Sequence, residues 1–281
     1  MNWYLLWGLG AAMAWGSADF CAKKASDRHG FWPTVWGMNA VGALALGLVW
    51  LAGGIPVNHA QLPRLLWLGA GNTLGGVFFY FALEFGPLVL VSPITAAYPV
   101  VSAVLAFWIS GERLTAWMAA AVAGVIAGTL LASVGAREPG TPHPRRTAAL
   151  LAAGLSALIF GTVFYALAAH AAASNSAAPV LIFRLAGALL LALPLLLGWR
   201  LPAGLARSGW IWATGLMDSF AYLLYAVGAH HLKVSVVASL SGLFSVWTLV
   251  LAVMFLRERL AVRQWAGVAL IFAAIALLAM R

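Results

Sequence analysis

Residues 97–114 read AYPVVSAVLAFWISGERL, and residues 243–260 read LFSVWTLVLAVMFLRERL. The two stretches align without a gap at an offset of 146 and end in Glu112-Arg113-Leu114 and Glu258-Arg259-Leu260. Apolar helices resemble one another through composition alone, but a match that runs on into a polar loop marks an internal repeat. The same offset pairs Asn72 with Asp218, and an offset of 145 pairs Trp15-Gly16-Ser17 with Phe160-Gly161-Thr162. The chain therefore reads as two copies of one unit.

That unit is made of apolar helices. The 281 residues are 64% hydrophobic and only 8% charged, with a mean hydropathy of +0.96. A soluble domain carries about a quarter of its residues charged. A membrane span needs roughly 20 apolar residues. Ten such segments are predicted, over 3–22, 31–52, 65–83, 87–110, 114–135, 147–170, 178–199, 208–229, 234–256 and 261–280. Their separators carry turn chemistry, as in Gly53-Gly54-Ile55-Pro56, Phe85-Gly86-Pro87 and Arg200-Leu201-Pro202. The expected fold is an all-α membrane protein of about ten transmembrane helices. The first five-helix repeat covers 1–136, a proline- and glycine-rich linker 137–146, and the second repeat 147–281. Five is odd, so the second repeat enters the membrane inverted. Inverted repeats are characteristic of transporters, with substrate near the midplane at the repeat interface. The N-terminus is apolar from Trp3 to Cys21 and lacks the basic n-region of a signal peptide, so it is read as a retained helix.

Five plus five helices, Trp15-Gly16-Ser17 late in the first, and Gly111-Glu112-Arg113-Leu114 after the fourth resemble the EamA-type branch of the drug/metabolite transporter superfamily. The resemblance spans essentially the whole chain. It implies that helices 1–4 and 6–9 of the sequence surround a cavity while helices 5 and 10 are scaffold. It leaves the substrate open, since that superfamily handles amino acids, organic cations, nucleotide sugars, sugar phosphates and lipid-linked sugars.

Three charges fall well inside predicted spans: Asp19, Arg184 and Asp218. Each costs about 2.5–3.5 kcal/mol at a helix centre. Such residues face a bundle interior or a wet cavity, where they bind substrate or neutralise one another. Helical spacing gathers candidates onto faces. The first helix aligns Gly8, Ala12, Trp15, Asp19 and Lys23; the third aligns Asn72, Gly76 and Phe79, with Tyr80 beside them; the eighth aligns Asp218, Tyr222, Tyr225 and Ala229. Ser92, Thr95, Tyr98 and Ser102 make a polar stripe on the fourth. Phe164 joins Trp15, Tyr80, Tyr98, Tyr222 and Tyr225 as mid-span aromatics that can stack on a substrate or hold a cation over a ring face. The predicted substrate cavity is thus Trp15, Asp19, Lys23, Asn72, Tyr80, Tyr98, Phe164, Arg184, Asp218, Tyr222 and Tyr225.

Pro93 and Pro99 break the ladder of the fourth helix. The ninth has Gly242 and no proline, so a stiff kink and a softer bend are the expected gates. Glu112 and Glu258 precede helices 5 and 10 and suit their positive ends, and Gly111 suits a left-handed cap. Gly124 and Gly128, with Ala269 and Ala273, are small-residue pairs for packing within the chain or for a homodimer; a monomer is expected. No cofactor or metal is predicted. Cys21 is the single cysteine, and adjacent His230 and His231 point to different helix faces. Walker, HExxH and GxSxG motifs do not occur.

The net charge of +9 does not point to nucleic acid, because basic residues sit in small groups between apolar runs. One set of loops holds Arg64, Arg113, Lys233 and Arg281. The other holds eleven: Lys23, Lys24, Arg28, Arg137, Arg145, Arg146, Arg200, Arg207, Arg257, Arg259 and Arg263. The positive-inside rule places the second set in the cytoplasm and both termini outside, against the resemblance, which implies both termini inside. The expected function is secondary transport or export of a small organic metabolite, of amino-acid or related zwitterionic type, across a bacterial inner membrane, with a coupling proton as one driving force. Alternatives are export of lipophilic cations, flipping of a lipid-linked sugar and, more remotely, a membrane enzyme.

Overall fold

A computed structural model describes residues 5–53, 61–113, 115–133, 144–171, 177–256 and 261–279, with the side chain of Pro93 among those left out. Glu258-Arg259-Leu260, Leu114, Arg137, Arg281 and most of the 137–146 linker lie outside the described residues. The helices are α1 (Leu5–His29), α2 (Phe31–Leu51), α3 (Leu62–Phe85), α4 (Leu88–Thr95), α5 (Tyr98–Ser110), α6 (Ala116–Ser133), α7 (Arg146–Ala171), α8 (Ala177–Leu190), α9 (Leu193–Leu196), α10 (Gly209–His231), α11 (Val234–Ser241), α12 (Phe244–Leu251) and α13 (Val262–Ala279). No strand occurs among the described residues. Helices satisfy their own backbone polar groups, which hydrocarbon cannot do for them. Large apolar side chains such as Trp67, Trp108, Leu196 and Phe255 point outward, as a lipid solvent permits.

Among the described residues, five stretches are long and apolar enough to cross a membrane: Phe31–Leu51, Leu62–Phe85, Arg146–His170, Ala178–Leu196 and Val236–Phe255. α1 and α10 are as long as these, but they carry the central polar residues and fall below that apolarity. The first helix runs to His29 rather than ending near residue 22. Its extra turns are held by an (i, i+4) ion pair, Lys23 Nζ to Asp27 Oδ1 at 2.9 Å.

The predicted fourth helix is broken at Ala96-Ala97, between α4 and α5. Pro99 explains the break: it has no N–H to give, and its ring clashes with the carbonyl four residues back, at Thr95. The predicted ninth helix is broken at Gly242-Leu243, between α11 and α12. The two breaks are equivalent at the 146 offset, and each is an interruption of its helix where a kink in one and a bend in the other were expected. They also meet, since a Cβ on Gly242 would lie 3.0 Å from the Pro99 ring. Pro99 itself is buried at the start of α5. The predicted seventh helix is interrupted as well, at Leu191-Ala192.

Packing follows a two-fold exchange. α1 lies on α10 and α3 on α7; α2 packs on α10 as α8 packs on α3; α12 lies against α1 as α5 lies against α7. α2 meets α8, and α6 meets α13. The glycines of the repeated Trp-Gly-Ser and Phe-Gly-Thr allow two equivalent close approaches. A Cβ on Gly16 would sit 2.6 Å from the Phe244 carbonyl oxygen, and one on Gly161 would sit 2.8 Å from that of Tyr98. Thr248 and Ser102, equivalent at the 146 offset, donate their hydroxyls to the Gly16 and Gly161 carbonyls at 3.3 and 2.8 Å.

Gly124 and Gly128 do pack within the chain, but onto Ala274, Ile271 and the Gly267 carbonyl of α13. Ala269 and Ala273 are exposed instead. Gly111 closes α5 in the left-handed conformation at φ +66°, and Glu112 N–H donates back to the Ala106 carbonyl at 3.0 Å.

Candidate functional site: a small central cavity

The exchange leaves a small cavity between the halves, of about 50 Å³. That is room for a few waters. Trp15, Asp19, Asn72, Tyr80, Tyr98, Phe164, Arg184, Asp218 and Tyr222 all line it. So do Met38, Asn39, Thr73, Phe79, Thr95, Phe160 and Phe244.

Two of the expected residues stand elsewhere. Lys23 points away from the cavity: its Nζ donates to the Leu83 carbonyl at 2.8 Å and pairs with Asp27. It ties α1 to the last turn of α3, where helix carbonyls lack intrahelical donors. Nearby, Phe31 N–H donates to Glu84 Oε2, so a carboxylate of α3 meets the positive end of α2. Tyr225 stands behind the wall. It is fully buried, donates to the Phe164 carbonyl at 3.2 Å, and packs on Trp15 and Phe164.

The aromatic residues form a continuous box. Ring centroids are 5.0 Å apart for Trp15–Phe164, 5.1 Å for Trp15–Tyr222 and 4.7 Å for Tyr98–Phe164. These are ordinary separations for favourable ring pairs. Hydroxyls bridge the halves. Tyr222 donates to Asn72 Oδ1. Tyr98 Oη lies 2.5 Å from Ser241 Oγ, linking one helix break to the other. Within the first half, Tyr80 donates to Met38 Sδ at 2.8 Å.

The charges divide unequally. Arg184 is 1% exposed and its Nη2 lies 2.5 Å from Asp218 Oδ2. Its guanidinium carbon lies 4.8 Å from the centre of the Tyr222 ring, a cation–π contact. Arg184 Nε and Nη1 have no hydrogen-bond partner, nor have Thr95 Oγ1 and Asn39 Oδ1. Asp19 is 6% exposed. Thr248 Oγ1, 2.9 Å from the Phe244 carbonyl, lies 3.3 Å from Asp19 Oδ2. No cation pairs with Asp19 among the described residues.

Asn39 escaped the sequence reading, although its signal was available. The 145 offset that pairs Trp15 with Phe160 also pairs Asn39 with Arg184 and Gly42 with Gly187. A Cβ on Gly42 would lie 2.8 Å from Arg184 Cδ, and one on Gly187 would lie 2.5 Å from Asn39 Cγ. Equivalent sites thus carry neutral amides in one half (Asn39, Asn72) and an ion pair in the other (Arg184, Asp218).

Comparison with known proteins accords with this architecture. A search of curated proteins finds no match. A solved structure titled "Crystal structure of protein" superimposes with a TM-score of 0.72 at 20% identity, covering 98% of this chain and 96% of that one. At that identity it shows the fold. The model of the EamA-like transporter family matches twice, over residues 2–134 and 147–280. The chain belongs to the EamA-like transporter family, and is an integral membrane transporter of small molecules.

Proposed function

We propose that this protein is a secondary transporter that exports a small zwitterionic metabolite, of amino-acid type, by alternating access. One observation carries the reading. Asp19, an acid with no counter-ion among the described residues, and Arg184, a cation with two unused donors, line the same aromatic-walled cavity. Asp19 suits a substrate amine, Arg184 Nε and Nη1 suit a carboxylate, and the Trp15, Phe164 and Tyr222 rings suit a side chain. Asp218 holds Arg184 in place. A lipophilic cation is a poorer fit, because Arg184 would repel it at close range.

Ligand pockets run from about 300 to 1,000 Å³, so a cavity of about 50 Å³ is a closed state that the halves must leave to load substrate. The paired breaks at Ala96-Ala97 and Gly242-Leu243, joined through Tyr98 and Ser241, are the elements that move. Gly242, Pro99 and Pro93 belong to them. The unit is read as two inverted repeats of five spans, 1–136 and 147–281, acting as a monomer in a bacterial inner membrane. Both termini face outside, by the charge asymmetry. Protonation of Asp19 or Asp218 is the proposed coupling step.

Counterflow into proteoliposomes tests the reading. Radiolabelled neutral amino acids should be taken up by vesicles preloaded with the same solute, and Asp19→Asn and Arg184→Gln should each abolish uptake. A purified protein whose thermal stability rises with lipophilic cations and with no zwitterion would overturn it. So would variants that exchange amino acids as the parent does.

A further inference from the structure

At the start of α10, the turn before the helix borders two adjoining spaces. One, of about 520 Å³, is lined by Arg28 and His29 at the end of α1 and by Arg207, Ser208 and Trp210 at the start of α10. The other, of about 460 Å³, is apolar. It runs between α2 and α10, past Ala40, Leu44, Leu205 and Trp212. Gly204 and Arg207 border both.

The first space has the chemistry of a phosphate site. Ser208 is 8% exposed, and its Oγ has no hydrogen-bond partner. It caps α10 by position but makes no side-chain cap bond. The helical bonds begin with Ile211 and Trp212 N–H donating to the Ser208 carbonyl, which leaves the Gly209 and Trp210 N–H groups at the positive helix end for a ligand. Arg28 and Arg207 are exposed beside them. No carboxylate lines either space among the described residues.

The second space gives that phosphate a tail. Leu44 and Trp212 are 52% and 40% exposed, so the groove opens sideways. Trp212 Nε1 donates to the Ala206 carbonyl at 2.8 Å, fixing the turn between the two spaces. Trp210 packs on Phe20, and Phe20 on Phe255, as an aromatic girdle at this end of the bundle. A free phosphate would use the polar space and leave the groove empty.

We propose that an anionic phospholipid occupies this crevice, with its phosphate on Ser208, Arg28, Arg207 and the N-terminus of α10, and an acyl chain along α2. This is the end that also carries Lys24, Arg145 and Arg200, so the lipid belongs to the leaflet facing the more basic loops. The assignment does not depend on which solute is transported.

Native mass spectrometry of the full chain, titrated with phosphatidylglycerol and with phosphatidylcholine of matched acyl chains, tests it. The parent should favour phosphatidylglycerol by about tenfold, and millimolar inorganic phosphate should not displace it. The Arg28→Gln/Arg207→Gln pair should lose the preference, and the Arg28→Lys/Arg207→Lys pair should keep it. Ala40→Phe, which fills the groove and leaves both cations in place, should weaken both lipids. The parent's preference and the Ala40→Phe result decide the matter even if the glutamine pair fails to fold. Equal binding of the two lipids by the parent overturns the proposal. Displacement by inorganic phosphate, or lipid binding unchanged in Ala40→Phe, means a small-anion site instead and overturns it equally.

Discussion

Replacing Asp218 with asparagine strands the Arg184 guanidinium in a cavity where it is 1% exposed. Removing one partner of a buried ion pair costs about 3–5 kcal/mol. The 13% exposure of Asp218, together with the Tyr222 ring beneath the guanidinium, puts the expected cost near the lower limit, about 3 kcal/mol. Arg184→Asn strands the carboxylate in the same way. The other half of the molecule shows what a neutral version looks like, because Asn39 and Asn72 hold the equivalent places. The double variant Arg184→Asn/Asp218→Asn reproduces that arrangement and leaves neither charge uncompensated. Its stability should therefore fall by less than the sum of the single losses, with a coupling of about 2 kcal/mol or more. Thermal unfolding in detergent, followed by loss of the monodisperse chromatographic peak, measures all four proteins. At about 2–4 °C per kcal/mol for a chain of this size, each single variant should lose roughly 6–12 °C, and the double variant distinctly less than the two together. Losses that add to within about 0.5 kcal/mol would show that the two charges do not depend on each other, and the assignment of Asp218 as the partner that holds Arg184 would fall.

Two further outcomes test the architecture. Gly161→Leu should abolish folded yield, since a Cβ there meets the Tyr98 carbonyl oxygen at 2.8 Å, whereas Gly154→Leu, with nothing within 4 Å, should be tolerated; equal yields would mean that α7 does not cross α5 at Gly161. Alkaline phosphatase fused after Arg281 should be active and a fluorescent protein at that place dark, as the charge asymmetry requires; a glowing C-terminal fusion reverses the orientation and moves the anionic-lipid crevice to the other leaflet.

The repeat was legible because it is written twice. Any feature that both halves must keep leaves two copies in one chain. The Trp-Gly-Ser and Phe-Gly-Thr glycines are such features; the paired breaks at Ala96 and Gly242 are not written alike, since Pro99 stands opposite Ser245. Mid-span charges were legible because hydrocarbon makes each one costly. Partners were not legible. Lys23 falls on the Asp19 face by spacing, yet a long side chain can turn along its helix. Here it reaches the Leu83 carbonyl, an acceptor that belongs to α3 and is silent in its own sequence. Tyr225 likewise shares a stripe with Tyr222, but the stripe is wider than the cavity. Helical spacing gives a direction and not a depth. The crevice before α10 was invisible for a related reason: Arg28 and Ser208 are far apart in the chain, and only the α1–α10 contact brings them together.

The unequal charge of the two halves bears on how such a molecule can work. An exchange-symmetric backbone gives the inward- and outward-open forms similar packing, which keeps their energies close enough for a solute to shift the balance. Symmetric charges would place like with like at the interface. In this chain the sites equivalent to Arg184 and Asp218 are amides, and the site equivalent to Asp19, at the 145 offset, is Phe164. The helix breaks and glycine crossings are kept in both halves, while the ionic groups are confined to one copy each. On the proposed reading, motion is thereby separated from recognition: the repeated residues would set where the halves bend, and the unrepeated ones what the cavity can hold.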